Sequence, residues 1–303
     1  RDLHLSLRRQ RQMCIRDRYF GLVGYPVKHS VSPAMHNAAF KQLGIDAVYL
    51  AFEVKPNEVD KAIFGAKALG FKGLNITIPH KEKALEFVKP DSLAARIGAI
   101  NTIDLETMKG YNTDAYGALK ALESSRVNVE GKNILIVGAG GAARAIAFAL
   151  IEKSLVVISN RTEQRGLKLV EELRRYGESI FIPYNEIEKL EGKIDVIVNA
   201  TPLGMKGFES KPPLPHSLIR DVVVFDTVYN PMETELIKLA RKRKCKVVYG
   251  IDMLVYQGAK AFEIWTGKKA PVEVMKKAAI NSLTLNSTSF ISTSTNGHFP
   301  PLS

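Results

Sequence analysis

The chain has 303 residues, 46% apolar and 24% charged, with a formal charge of +12. That length is generous for one domain and comfortable for two, and no apolar run reaches the ~18 residues that a membrane-spanning helix needs. Two cysteines make no disulfide framework, and six histidines give no HxxxH pair or Cys/His cluster, so a reducing cytoplasm is expected and a metal site is not.

In chain order, residues 1–18 come first. The stretch RRQRQMCIRDR has no clear period and lacks the apolar centre of a signal peptide. It resembles a translated sequencing adapter or a misassigned start, and is expected to be a foreign or disordered leader. Its six Arg and two Asp supply a third of the net charge. Most of the remaining excess reads as solvated basic surface, some of it suited to steering anionic ligands. Nucleic-acid binding needs a recognition motif beyond a basic run, and none is found.

Residues 19–23 read as a short apolar strand. A helix follows over 33–43, with Ser32 as N-cap and Pro33 at the first helical position. Residues 47–54 read as a strand, 57–69 as a helix and 73–78 as a strand, and Lys81 opens the next helix. Residues 99–105 and 109–111 read as paired strands. Five short apolar strands follow at 133–137, 156–159, 194–199, 222–226 and 246–249, several separated by helical stretches. This alternation implies mostly parallel sheets in an α/β chain. A domain boundary falls near 114–125, giving an N-terminal α/β domain over 19–117 and a Rossmann-like dinucleotide domain over 118–249. The last 22 residues, 282–303, carry no charge and ten Ser or Thr, a composition expected to form a disordered tail.

The strand at 133–137 runs straight into Gly138-Ala139-Gly140-Gly141-Ala142-Ala143, with a helical stretch over 144–152 behind it. Gly138 permits the tight turn, Gly140 lets a pyrophosphate approach the backbone, and small Ala143 lets helix pack on strand. The helix N-terminus offers free N–H groups to phosphates. About 20 residues on, an NAD enzyme carries Asp or Glu for the ribose hydroxyl. Here stand Asn160, Arg161 and Thr162, with Arg165 one turn later, so a 2′-phosphate is favoured and the expected cofactor is NADP.

Polar residues cluster in the first half. Ser30 and Ser32 precede a helix, where hydroxyls and helix N-terminus together suit a carboxylate. Asn75 and Thr77 share a strand face, and Asn101 and Asp114 lie near strand ends, where open α/β sheets bind ligands. Lys81 beside a carboxylate has the makings of a proton donor for a reduced carbonyl.

The strings HSVSPAMHN, NITIPHK, GAINT, GYNTD, GAGGAA, NRTEQR, NATPLGM and GIDMLVYQGAKAF occur in that order. From about Tyr19 to Ser282 the chain resembles the shikimate dehydrogenase family. The resemblance implies NADP-dependent, reversible reduction of 3-dehydroshikimate to shikimate, in aromatic amino-acid (chorismate) biosynthesis. By it, Lys81 and Asp114 are the catalytic pair, and Ser30 and Ser32 take the substrate carboxylate. Thr77, Asn101, Asp114 and Gln257 hold ring hydroxyls, and Tyr229 lines the site. Gly138, Ala139, Gly140, Gly141, Ala142, Asn160, Arg161, Thr162 and Arg165 bind NADP, with Thr227 and Gly250 near the nicotinamide. Helices over 250–281 return to the first domain. The partner is then a small molecule, with no nucleic acid, no membrane and no metal, and the state is monomer or homodimer. The rival readings are a quinate/shikimate enzyme using NAD and a non-catalytic dinucleotide-binding regulator.

Overall fold

The computed structural model describes residues 18–288. The chain first builds a six-stranded sheet in the order β2-β1-β3-β5-β6-β4. Its strands are β1 (Arg18–Gly24), β2 (Ala47–Glu53), β3 (Gly73–Ile76), β4 (Lys89–Pro90), β5 (Thr102–Asp104) and β6 (Lys109–Tyr111). β1 pairs in parallel with β2 and β3, whereas β5 runs antiparallel to both β3 and β6. Helix α1 (Ser32–Gln42) and helix α2 (Val59–Ala68) are the crossovers, and short α3 (Ser92–Ile97) precedes β5. All four residues of β3 are buried, as expected of a strand covered on both faces.

Helix α4 (Thr113–Ser124) leads to a second six-stranded sheet, ordered β12-β11-β10-β7-β8-β9. Its strands are β7 (Asn133–Val137), β8 (Leu155–Ser159), β9 (Ser179–Phe181), β10 (Val196–Asn199), β11 (Val223–Asp226) and β12 (Lys246–Tyr249). Every pairing is parallel, and the order reverses between β7 and β10. This is the doubly wound dinucleotide fold, whose ligand crevice opens at that switch point. Helices α5 (Gly141–Leu150) and α6 (Glu163–Leu173) cover one face, and α7 (Glu235–Lys242) the other.

Two further helices, α8 (Gly250–Thr266) and α9 (Val272–Thr288), then return to the first domain. Ile251, Val255, Ala259 and Phe262 of α8 join Phe20, Met35 and Phe40 in one buried cluster. Trp265 donates its indole N–H to Ile103 O at 2.9 Å.

Four sequence expectations need correction. Arg18, grouped with the leader, starts β1; residues 1–17 lie outside the described part. Residues 282–288, assigned to a tail, continue α9: Leu283 extends the stripe Met275–Ala279 at four-residue spacing and is buried with it. Residues 289–303 lie outside the described part. β3 ends at Ile76, and Lys81 occupies a turn ahead of a 3-10 segment, Lys83–Phe87, instead of opening an α-helix. Helix α1 takes Val31 as its N-cap, with no side-chain cap. Ser30 Oγ instead accepts the N–H of Ser32 at 3.2 Å, so the local turn role falls to Ser30 and not to Ser32.

Candidate active site

Lys81 and Asp114 are 33 residues apart and meet because two backbone devices converge. Past β3 the chain turns at Thr77 and His80, and Lys81 O accepts the N–H of Ile100 at 2.9 Å. Asn112 caps α4, taking the N–H of Asp114 on its side-chain oxygen at 3.1 Å and giving its amide to Ala99 O at 2.9 Å. Asp114 thus sits in the first helical turn, where the dipole favours a carboxylate. Lys81 Nζ lies 2.5 Å from Asp114 Oδ2, with 16% and 8% of the two side chains exposed.

Asn101 completes the group. Its Nδ2 donates to Asp114 Oδ1 at 2.9 Å and to Gln257 Oε1 at 3.2 Å. Its Oδ1 accepts the backbone N–H of Thr113 at 2.7 Å. A backbone N–H can only donate, so this bond fixes the amide with its nitrogen toward Asp114. Gln257 is anchored in turn by its own Nε2, which donates to Leu254 O. The sequence expectation for Lys81, Asn101, Asp114 and Gln257 is one site, and the fold joins all four.

Behind them lies a buried relay that sequence reading did not foresee. Tyr49 OH donates to Asn75 Oδ1 at 2.7 Å, and Asn75 Nδ2 donates to Thr102 Oγ1 and to Asn101 O, each at 3.0 Å. Thr102 Oγ1 then donates to Asn101 Oδ1 at 3.1 Å. The available signal was an asparagine inside an otherwise apolar, fully buried strand, since such a group must be hydrogen-bonded. Thr77 stands apart from this relay. Its methyl faces the end of β1, where a Cβ built on Gly24 would come within 2.3 Å of it and 2.6 Å of Val27. Ser30 follows Val27 by a turn bond, N–H to O at 3.0 Å. Ser30 and Ser32 therefore follow the end of β1 and Thr77 the end of β3, and among the described residues none of their hydrogen bonds joins the quartet. Tyr229, from the second domain, packs on the first domain's core, and burial raises its hydroxyl above the ordinary range.

Across the cleft stands the glycine turn. Gly138 has φ +124°, and a Cβ there would lie 2.8 Å from Ala200 O, so only glycine fits. A Cβ on Gly140 would meet nothing within 4 Å, which leaves the space over the turn open, and Ala143 is fully buried. Ala139 is buried beside it, while Gly141 and Ala142 begin α5. A Cβ on Gly141 would stand 3.3 Å from Lys81 Cδ, so the N-terminus of α5 abuts the proposed catalytic lysine. Asn160 folds its amide back onto Thr162 O at 2.8 Å, and Arg161 and Arg165 are exposed beside it. Arg165 approaches Glu82 of the first domain at 3.8 Å. Glu209 is held below the usual carboxylate range chiefly by Lys211, with Arg161 adding to it. Thr227 and Gly250 also adjoin: a Cβ on Gly250 would lie 2.4 Å from Thr227 O. Open space over a helix N-terminus, flanked by two unburied guanidinium groups, fits a dinucleotide with an extra phosphate.

Between Thr227 and the loop after β10 lies Asp226, fully buried. Burial pushes its carboxyl up to about 6, opposed by bonds from Thr234, the Val228 N–H and Asn199. The Asn199 amide spans Asp226 and Leu203 O, which stiffens the loop carrying Thr201 and Gly204. Another cavity, lined by Lys132, Asp195 and Lys246, opens at the N-terminal ends of these strands, away from the crevice where such sheets bind ligands.

Known proteins with this arrangement are readily found. Residues 22–103 match the shikimate dehydrogenase substrate binding domain, 120–205 the shikimate / quinate 5-dehydrogenase family and 250–280 the shikimate 5′-dehydrogenase C-terminal domain. A shikimate dehydrogenase (NADP(+)) of Archaeoglobus fulgidus is 60% identical over 267 residues, covering 88% of this chain and 98% of that one. The chain belongs to the shikimate dehydrogenase family. Solved members agree in fold. A shikimate dehydrogenase crystallised with NADP+ superposes with a TM-score of 0.83 at 44% identity, covering 88% of this chain and 96% of its own. The Thermus thermophilus enzyme, in complex with NADP(H) and shikimate, gives 0.80 at 36% identity, with 88% and 99% covered.

Proposed function

We propose that the chain catalyses the reversible, NADP-dependent reduction of 3-dehydroshikimate to shikimate on the route to aromatic amino acids. The observation that carries the mechanism is the Lys81–Asp114 pair, 2.5 Å apart and abutting the glycine turn. NADPH, when bound, would supply the hydride for the ring carbonyl carbon. Lys81 Nζ gives a proton to the carbonyl oxygen as charge develops there, and takes it back in the oxidative direction. Asp114 holds the ammonium in place and offsets its charge. Asn101 and Gln257, oriented by the bonds described above, hold neighbouring ring hydroxyls with Thr77. Ser30 and Ser32 take the carboxylate, and Tyr229 closes the wall from the second domain. The turn from Gly138 to Ala142 takes the pyrophosphate, and Asn160, Arg161, Thr162 and Arg165 take the 2′-phosphate. Thr227 and Gly250, which adjoin each other, would lie near the nicotinamide. NADP is favoured over NAD because β8 runs out into Asn160, Arg161 and Thr162, with no carboxylate where an NAD enzyme holds the ribose hydroxyl, and Arg165 follows in the first turn of α6.

No helix among the described residues is long and apolar enough to cross a membrane. The enzyme we propose is cytoplasmic, with small molecules as its partners. The test follows NADPH absorbance with purified protein, using shikimate or quinate with NADP or NAD. Turnover of shikimate with NADP well above the other three combinations is expected. Faster turnover of quinate with NAD would overturn the reading.

A further inference from the structure

Arg144 belongs to the cofactor domain, one turn into α5, yet its guanidinium reaches into the substrate domain. Its Nε donates to Ile97 O at 2.6 Å, a carbonyl in the last turn of α3 that the helix itself leaves free. Its Nη2 meets Glu172 Oε2 of α6 at 2.5 Å, and its plane lies over Phe148 with 5.8 Å to the ring centroid. Only 13% of the side chain is exposed. Gly98, at φ +71°, admits this approach: a Cβ there would stand 3.0 Å from Nη2. The guanidinium is thus clamped within its own domain and presents one donor to the substrate domain, at a boundary where Ile97 and Ala99 share a buried cluster with Ala143 and Ile146.

The segment it grips, residues 97–101, is the hub of the quartet. Ala99 O receives the Asn112 amide that belongs to the cap of Asp114's helix. Ile100 N–H donates to Lys81 O. Asn101 binds Asp114 and Gln257. At the other end of the same helix turn, Gly141 abuts Lys81. Arg144 therefore links the helix that cradles the dinucleotide to the segment that orients both members of the catalytic pair, beside the more exposed Arg96–Glu152 ion pair and the apolar packing of Ile97 and Ala99.

We infer that Arg144 is a positioning residue for hydride transfer, registering the glycine-turn helix against the 97–101 segment. This rests on the dehydrogenase reading above. Each ligand's contacts lie mostly in one domain, so losing the register leaves binary binding largely intact and misaligns the two ligands with each other. Misplacement of reacting groups by about 1 Å costs on the order of 10²-fold in rate.

The experiment compares wild type, Arg144→Met and Glu172→Gln. Methionine keeps the apolar stem over Phe148 and removes the donor, while glutamine removes the clamp on an exposed helix. Binding of NADP+ alone and of shikimate alone is measured by titration, and kcat by NADPH absorbance with unlabelled and 4-deuterated NADPH. For Arg144→Met, kcat is expected to fall roughly 10- to 100-fold, while both binary Kd values stay within about threefold. The deuterium isotope effect on kcat is expected to rise as hydride transfer becomes limiting. Glu172→Gln is expected to show the same split with a smaller fall. Wild-type kcat in either variant overturns the inference, as does a parallel loss of both binary affinities, which would mark a merely structural residue. Should wild type itself fail to oxidise shikimate with NADP+, the dehydrogenase reading falls instead.

Discussion

The two halves of the cleft are made differently. On the substrate side, side chains bind side chains: Lys81, Asp114, Asn101 and Gln257 form one connected group backed by Tyr49, Asn75 and Thr102. On the cofactor side, the features are an open glycine turn, a helix N-terminus and two exposed arginines. A connected, largely buried network fails as a unit when one member is removed, because the others lose partners in a low-dielectric site. A cradle of backbone groups and exposed cations loses one contact at a time. The contrast predicts large, catalytic losses on one side and modest, ligand-specific losses on the other.

Lys81→Met is the sharpest way to break that contrast. It removes the proposed proton donor and leaves the Asp114 carboxylate with the Asn101 amide. kcat is expected to fall by about 10²–10⁴-fold, with a much smaller change in KM. A near-normal kcat would mean that the pair is structural and that the proton comes from elsewhere.

The domains also bury titratable groups of opposite sense. His36 lies in the substrate domain's core, stacked on Tyr49 at 4.4 Å, with neither ring nitrogen hydrogen-bonded. Burial lowers it from 6.5 to about 3. A histidine kept neutral by folding contributes stability that is complete above its unfolded value and is lost as pH falls from about 6.5 through about 3. At ~1.4 kcal/mol per unit, the loss has a ceiling of about 5 kcal/mol. Asp226 runs the other way. Its folded value of about 6 lies above the ordinary 3.8, so stability is full below 3.8 and declines as pH rises through 6, by up to about 3 kcal/mol. Urea unfolding from pH 4 to 8 should therefore show His36→Phe gaining most at the acid end and Asp226→Asn gaining most at the alkaline end. Equal gains at all pH values would show that the two groups do not titrate in these windows.

The same difference explains what could be read from the sequence. The cofactor cradle is contiguous. Strand, glycine turn, helix and the Asn160–Arg165 cations fall within about 30 residues, the span over which strand and helix periods carry information. The substrate side draws on β3, the segment before β5, α4 and α8, with Asn101 and Gln257 separated by 156 positions. No local period brings those together, and only the ordered motifs pointed to them. Arg144 escaped because its sequence context reads as an ordinary helix surface, and its partner is a carbonyl, which leaves no residue-type signal. The error at residues 282–288 had a different origin. Ser/Thr content was weighed over the whole tail, while Met275, Ala279 and Leu283 kept the helical spacing underneath it.

On the cofactor side, Arg161→Ala tests whether the exposed cations choose the cofactor. The arginine is expected to contribute a charge-assisted contact to the 2′-phosphate and nothing to NAD. Kd for NADP+ should rise by about 10- to 100-fold, in line with ~1.5–3 kcal/mol for such a bond, with Kd for NAD+ nearly unchanged. Equal losses would place the 2′ position elsewhere.

The smallest expected effect concerns a carboxylate near those cations that comes from the opposite domain. Glu82 stands 3.8 Å from Arg165, and both side chains are more than half exposed. At that distance and exposure an ion pair is weak, so it does little to hold the cleft shut. It nonetheless sets a negative charge beside the group that would receive the 2′-phosphate, and the two anions compete for one guanidinium. Glu82→Gln should tighten NADP+ by about two- to fourfold and leave NAD+ unaffected, a gain that fades above about 0.5 M salt as screening shortens the reach of the charge. Such a result would show that the cofactor side responds to the substrate side through charge alone, one contact at a time. A loss of kcat in this variant, with cofactor affinity unchanged, would instead tie Glu82 to the Lys81 network and blur the division between the two halves.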